Sequence, residues 1–402
     1  MEASFLMPTH VIHGAGVLAG IGSAIAAMGI RRVLVVTDAN ITPQPFYAAI
    51  LDALNRAGIR VSVYDGCRID AHLDEVDEQA ARVSAGSLEA VIGVGGGSVL
   101  CAAKAIAIVA RNPPTFRACA GVARFPHRAL PMFLVPTTAG SGAEVSQFTL
   151  VKDDANGAKF VGGGPLSFPT MAFLDPVVLA AIPARLAAIS AVDALTHAVE
   201  AMFTEFATPL TDGLAMTALG LLMRSIPSAV TTRAPDACAD NLLGSAIANM
   251  ACGNARLGLA HALSLPLEAR CGAPHGIGVG VLLPHVLAFN EPAAPAKVRM
   301  MAAAMGLKAG GGDAAVLADV LAALGQLYDE ISFPHHFDGH FDKPSSLREI
   351  AEAALPGLYG MAPAEPVTAS SIIASPNIRR ASVEDAIALY AACFESLDRA
   401  RI

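Results

Sequence analysis

Asp193 and His197 stand four residues apart in SAVDALTHAVEAMF (Ser190 to Phe203), a stretch that is otherwise almost wholly apolar apart from Glu200. On a helix, positions i and i+4 stack on one face, so this carboxylate and this imidazole can grip one object. Taken alone, the commoner explanation is blander: Asp193 caps a helix start and His197 is a hydrogen-bonded core histidine. Two further histidines change the balance. His261 lies in RLGLAHALSLPL and His275 lies in GAPHGIGVGV, both in apolar helical patterns. Three imidazoles and one carboxylate thus fall on three successive helices in buried-looking surroundings. A buried unpaired aspartate costs roughly several kcal/mol unless something compensates it. A divalent cation would do so, and this donor set suits a borderline first-row ion such as Zn²⁺ or Fe²⁺. Spacing therefore favours Asp193, His197, His261 and His275 as metal ligands. A rival cluster, FPHHFDGHFD (Phe333 to Asp342), is metal-like by composition. Its proline and glycine predict an exposed loop that nothing apolar organises, so a solvated surface loop is expected there.

A second chemistry is written in glycines and hydroxyls. GVGGGSVLCAAK (Gly93 to Lys104) follows a buried strand pattern and opens a helix at about Ser98. Glycines there let the backbone approach a ligand, and a helix N-terminus presents free N–H groups to a pyrophosphate. The string is neither a Rossmann fingerprint, since Ser98 takes the third glycine's place, nor a P-loop. A tight turn without a ligand explains it equally well. VPTTAGSGAEVS (Val135 to Ser146) strengthens the ligand reading, because it also follows a strand and offers Thr137, Thr138 and Ser141. Two such loops at the carboxyl edge of a sheet suit a diphosphate. Asp38 ends the first clear strand, where it would accept hydrogen bonds from a ribose 2′-hydroxyl and repel a 2′-phosphate, or else simply close a turn. The ribose contact favours NAD over NADP.

The elements that must carry these groups change character along the chain. RRVLVVTD, IRVSVYDG, LEAVIGVGGG and ALPMFLVPTT read as strands, separated by helical periods such as PFYAAILDALNRAG. This alternation predicts right-handed crossovers and a mostly parallel sheet covered on both faces. From about Pro183, alanine- and leucine-rich helical patterns take over without strand alternation. The expectation is an α/β dinucleotide-binding domain over 1–180, Rossmann-like, and an all-α metal-binding domain over 181–402, with the join near residues 175–185.

The whole 402-residue chain is 54% hydrophobic and 15% charged, which fits a well-packed globular enzyme or oligomer and excludes a disordered chain. A formal net charge of -8 and the lack of a basic run argue against nucleic acid. Ala90 to Ala110 imitates a membrane span, but successive glycines and Lys104 inside it favour a buried strand, turn and helix. MEASFLMPTH lacks the long apolar core of a secretory signal. Seven cysteines without a C-x-x-C pair read as reduced thiols of a cytoplasmic protein. No membrane partner is expected.

Taken together, GGGSVLCAAK, PTTAGSGAEVS, DALTHAVEA, GLAHALSLPL and APHGIGVGVLLPHVLAFN resemble, in order and spacing, the iron-containing (group III) alcohol dehydrogenases. The resemblance runs from about GIRRVLVVTD to SPNIRRASVEDAIALYAACFE. It implies that Asp193, His197, His261 and His275 bind the metal, with iron preferred over zinc. It also implies that Gly95, Gly96, Gly97 and Ser98 hold the NAD diphosphate, that Thr137, Thr138 and Ser141 line the cofactor cleft, and that Asp38 meets the adenosine ribose. Lys159 matches a lysine that usually follows the PTTAGSGAE loop. Two positions depart from the family: Cys101 stands where an aspartate is usual, and Leu265 where many members carry a second histidine. Leucine passes no proton, so no protein general acid or base is assigned.

The expected reaction is reversible hydride transfer between NAD(H) and a small alcohol/aldehyde pair, with the metal as Lewis acid, in a homodimer or larger homo-oligomer. Maleylacetate reductase-like and glycerol dehydrogenase-like enzymes of the same fold are alternatives, as is a catalytically silent NAD-binding member. An anionic substrate would need an arginine, for which Arg256 is the candidate.

Overall fold

The computed structural model describes residues 4–112, 114–155, 159–308, 310–354 and 377–394. The first three residues of the opening decapeptide, and Ser375, Pro376 and Glu395 of the C-terminal motif, lie outside the described residues. The chain divides into two compact units at Ile182/Pro183.

In the first unit, strands β1 (His10–His13), β2 (Arg32–Val36), β3 (Arg60–Tyr64), β4 (Ala90–Gly95), β6 (Met132–Pro136) and β9 (Met171–Leu174) form one sheet in the order β1-β9-β6-β4-β2-β3. Every pairing in it is parallel. Helices α1 (Ile21–Ala27), α2 (Pro45–Arg56), α3 (Leu73–Ala85) and α4 (Gly97–Val109) make the connections. The central strands β2, β4 and β6 are near-continuous β-branched and apolar runs because helices cover both faces. The reading as an α/β unit with a parallel sheet holds.

The four strands expected from the sequence are β2, β3, β4 and β6. Others carry no such signal. β1 is an edge strand with exposed histidines at both ends, and β9 is only four residues long. A second, three-stranded sheet joins β5 (Gly121–Val122), β8 (Lys159–Gly163) and β7 (Phe148–Lys152) beyond the short helix α5 (Phe116–Cys119), with β7 and β8 antiparallel. The segment that imitates a membrane span is β4, its turn and α4, with Lys104 fully buried.

The second unit is helical throughout its described elements: α6 (Ala184–Met202), α7 (Pro209–Thr231), α8 (Pro235–Ala255), α9 (Leu259–Cys271), α10 (His275–Asn290), α11 (Pro295–Ala304), α12 (Asp313–Glu330), α13 (Leu347–Ala354) and α14 (Val383–Ala392). α6 is buried almost all round from Ser190 onward, which explains its alanine-rich composition: small side chains let α7, α8 and α10 approach it together. The expectation that nothing apolar organises FPHHFDGHFD is corrected. Phe333 and Phe337 are buried, Phe333 packs on Tyr328, and Phe337 packs against Phe341 and Phe394. The loop is polar on its outer side and plugged into the core on its inner side.

Gly276 lets α10 sit against α6: a Cβ there would lie 2.6 Å from both the Ile189 carbonyl oxygen and its Cγ2. Gly276→Ala is expected to destabilise the protein by about 1–3 kcal/mol in a denaturant titration. An unchanged midpoint would contradict that close approach.

Candidate functional site

α6 presents Asp193 and His197 on one face, α9 carries His261 in its first turn, and α10 begins with His275. Their polar atoms converge on a single oxygen. From Asp193 Oδ1, the Nε2 atoms of His197, His261 and His275 lie at 3.7, 3.7 and 3.6 Å. The donor atoms of Asp193, His261 and His275 all fall within 4.8 Å of one another, and His197 joins them through Asp193. These separations are too long for hydrogen bonds. Two atoms about 2.1 Å from a shared ion at a tetrahedral angle are about 3.4 Å apart, so the spacing fits a metal-sized centre. Asp193 Oδ1 and His261 Nε2 are buried with no hydrogen-bond partner. Such orphaned polar atoms are costly unless a ligand meets them, and together with the donor chemistry they fit a borderline divalent ion.

The imidazoles are aimed by groups behind them. Glu200, one turn beyond His197 on α6, accepts from His261 Nδ1 (2.6 Å), from the Gly258 backbone N–H (2.9 Å) and from the Ala260 backbone N–H. It therefore caps the N-terminus of α9 and holds His261 in one bond network. Glu268 on α9 accepts from His275 Nδ1 (2.6 Å) and from Ser264 Oγ (3.0 Å). The Asn249 amide lies 3.4 Å from His197 Nδ1. A carboxylate at Nδ1 keeps the proton there and leaves the Nε2 lone pair facing the centre. Sequence spacing alone gives Glu200, Glu268 and Asn249 no role. The available signal was a carboxylate inside an apolar helix, at position 200.

Electrostatics follow the geometry. Burial acts to raise the Asp193 carboxyl, but His197, His261 and His275 outweigh it and hold it well below the usual range. His197 falls to about 4, chiefly through burial. Burial also acts to lower His261, yet Glu200 and Asp193 take it up to about 9. His275 is raised against burial by Glu268 and Asp193. The anions of this cluster thus recruit positive charge. The side chain of His275 is 41% exposed, against 9%, 7% and 2% for Asp193, His197 and His261, so within this unit the cluster opens past His275.

In the first unit, the register sets Gly95 beside Pro136, so the glycine turn and the loop after β6 emerge side by side. A Cβ on Gly95 would lie 2.6 Å from Val99, one on Gly96 3.4 Å from Thr138, and one on Gly97 3.0 Å from Ser141 Oγ. The turn is tight because strand, helix and second loop close on it. No side chain caps α4, leaving its first N–H groups for a ligand. Ser98 Oγ accepts from the Asp70 N–H at 3.0 Å, and Lys159 Nζ sits 3.1 Å from Asp70 Oδ1. Thr137 donates its N–H to the Gly95 carbonyl at 2.9 Å. Asp38 follows β2, adjacent to β4, and one of its oxygens accepts from the Asn40 N–H at 2.8 Å. The turn role is therefore present, with a second oxygen to spare.

Two other clusters do different work. His72, Asp74 and Asp154 also lie within ligand distance of one another, but the Arg68 guanidinium bonds to Asp74, Glu75 and Asp154 and supplies the positive charge. Arg256 is stacked 4.8 Å over the Phe206 ring.

A family model for iron-containing alcohol dehydrogenases matches residues 8–176, and the model of that family's C-terminal part matches 187–391. The chain belongs to the iron-containing alcohol dehydrogenase family. It is similar to lactaldehyde reductase of Escherichia coli strain K12, 29% identical over 380 residues that cover 94% of this chain and 96% of that protein. It is also similar to 1,3-propanediol dehydrogenase of Klebsiella pneumoniae, 31% identical over 355 residues that cover 87% and 92%. The solved structure of an alcohol dehydrogenase from Oenococcus oeni superposes with a TM-score of 0.90 at 26% identity, covering 98% of this chain and 100% of that one. Membership makes this chain an oxidoreductase.

Removing Glu200 strands two buried N–H groups and an imidazole. Glu200→Ala is expected to destabilise the metal-stripped protein by roughly 3–5 kcal/mol, and Glu200→Gln, which keeps an acceptor, by clearly less. Denaturant titration with chelator present measures both, and equal losses would exclude the bond network as the cause.

Proposed function

We propose that this chain is a metal-dependent NAD(H) oxidoreductase that interconverts a small neutral alcohol and its aldehyde or ketone. The observation that carries the reading is the convergence of three imidazole Nε2 atoms on one buried, unpaired aspartate oxygen. Asp193, His197, His261 and His275 would hold one divalent ion, iron in preference to zinc. When bound, the ion supplies Lewis acidity toward the substrate oxygen, and NAD(H) supplies or takes the hydride.

The protein's own groups do the rest. Glu200 and Glu268 keep the Nδ1 protons of His261 and His275 in place, so their lone pairs need no reorganisation when the ion enters. Gly95, Gly96, Gly97 and Ser98 offer backbone N–H groups and a hydroxyl to the diphosphate, flanked by Thr137, Thr138 and Ser141. The spare oxygen of Asp38 is left to accept from the adenosine ribose. Leu265 lies one turn after His261, where an alkyl group moves no proton, so no protein acid or base is assigned.

The case for a neutral substrate rests on charge. Asp193, Glu200 and Glu268 place three carboxylates in and behind the cluster, against a single divalent ion. A substrate carboxylate would meet repulsion there. The names of the lactaldehyde and propanediol relatives point to uncharged substrates as well. We further read the protein as a cytoplasmic homodimer or larger homo-oligomer. Seven free cysteines support a reducing compartment, and exposed apolar side chains such as Ile69 and Leu210 support assembly.

Anaerobically purified protein should carry one equivalent of metal per chain and oxidise NADH with short neutral aldehydes in preference to keto acids. Asp193→Ala and His261→Ala should each lower metal content at least about tenfold and abolish turnover while NADH still binds. Elemental analysis paired with a spectrophotometric substrate screen decides it. Full activity in a metal-free variant would sink the proposal, and a preference for keto acids would move it to the maleylacetate reductase-like alternative.

A further inference from the structure

Lys104 is the one cation in an otherwise apolar α4, and it has no exposed surface. An ammonium group taken out of water needs its hydration replaced. Three carbonyls replace it here. Lys104 Nζ donates to Ala143 O at 3.0 Å, to Ser146 O at 2.6 Å and to Phe148 O. All three acceptors belong to the segment between β6 and the first residue of β7, the same segment that carries Thr137, Thr138 and Ser141. Burial pulls Lys104 down to about 8 and pushes the neighbouring, equally buried Glu144 up to about 7.

The placement on the helix matters as much as the bonds. Lys104 follows Gly97 by seven residues, two turns along one face of α4. On that face Gly97 leaves only 3.0 Å between its would-be Cβ and Ser141 Oγ. A second tie lies between them, where Thr149 Oγ1 donates to the Cys101 carbonyl at 2.7 Å. The hydroxyl-bearing loop and the start of β7 are thus fastened to α4 at several points, and the N-terminus of α4, like those of α1, α2 and α3, has no side-chain cap.

We propose that Lys104 is a positioning residue for the dinucleotide: it pins the 137–148 segment to α4 and so fixes the distance between the loop hydroxyls and the helix N-terminus that together take the diphosphate. This rests on the assignment of those two loops to the cofactor made above. The role is distinct from catalysis, because Lys104 is walled off by the carbonyls it serves.

The test is NADH titration of the wild type, Lys104→Met and Thr149→Val, with metal content and Tm measured on each. Lys104→Met should raise the NADH Kd at least about tenfold, since misplacing binding groups by about an ångström has effects of that order. Its metal content should stay at the wild-type value, and KM for NADH should move more than kcat. Thr149→Val removes one tie with a β-branched isostere and strands no buried charge, so its Kd should rise about threefold or more. A Lys104→Met protein with a lower Tm but an NADH Kd within about twofold of wild type would show a merely structural role and overturn the proposal. If Lys104→Met does not fold, Thr149→Val decides, and an unchanged Kd overturns it. A wild type that binds no NADH overturns the cofactor assignment itself, which separates that failure from failure of the clamp alone.

Discussion

One oxygen atom sets the terms for the helical unit. Asp193 Oδ1 is buried, accepts no hydrogen bond, and faces three imidazole nitrogens at nearly equal distance. In a folded protein an anionic oxygen left this way is a large local cost, and dispersion from the surrounding alanines offsets little of it. The arrangement persists because its neighbours over-determine it. Glu200 fixes His261 through the cap of α9, Glu268 fixes His275, and Gly276 lets α10 close on α6. The stability of the bundle and the aim of the imidazoles therefore share the same bonds.

The parallel sheet works by a different constraint, that of register. Pairing Gly95 with Pro136 brings two strand ends level, and the chain must then turn away from both at once. A side chain at Gly95 would collide with Val99, so glycine is required by space there, while one at Gly97 would press tightly on Ser141; neither has a positive φ. Two loops forced to start side by side leave the uncapped N-terminus of α4 next to the side chains of Thr138 and Ser141. This grouping lies at the carboxyl edge of the sheet.

How much of this could be read from the chain depends on the kind of signal. The central strands and the site helix α6 announce themselves, since β2 and β4 are continuous apolar runs and α6 is a buried helix of 19 residues. The four-residue strands β1, at the sheet edge, and β9, between β1 and β6, do not: four residues hold too little pattern. Asp193, His197, His261 and His275 stood out as polar residues on oily faces. Glu200 stands on the same face without a local signal of its role, because its backbone partners are N–H groups at the N-terminus of α9, 58 and 60 residues away, which no local spacing reports. Phe333 and Phe337 were hidden by the histidines beside them. Alternation of polar and aromatic residues in a loop looks like exposure until the aromatic half is seen to point inward.

Glu200 and Lys104 are the same device with opposite sign. Each is a full charge on an apolar stretch of helix, and each bonds backbone groups of a neighbouring segment: N–H groups for the carboxylate, which also holds His261, and carbonyls for the ammonium. A neutral hydroxyl could donate one such bond. The charged ones here make two (Glu200) and three (Lys104), each stronger in a low-dielectric interior, so one residue can hold a neighbouring segment at a set distance from its helix. The cost of burying the charge is what makes the position specific, since any displacement of the loop leaves that charge unsolvated. Segments that must present ligand groups at fixed spacing gain more from such steep penalties than from apolar packing, which tolerates sliding. On this argument, polar residues in the oiliest helices of the chain are the places where loop geometry is decided.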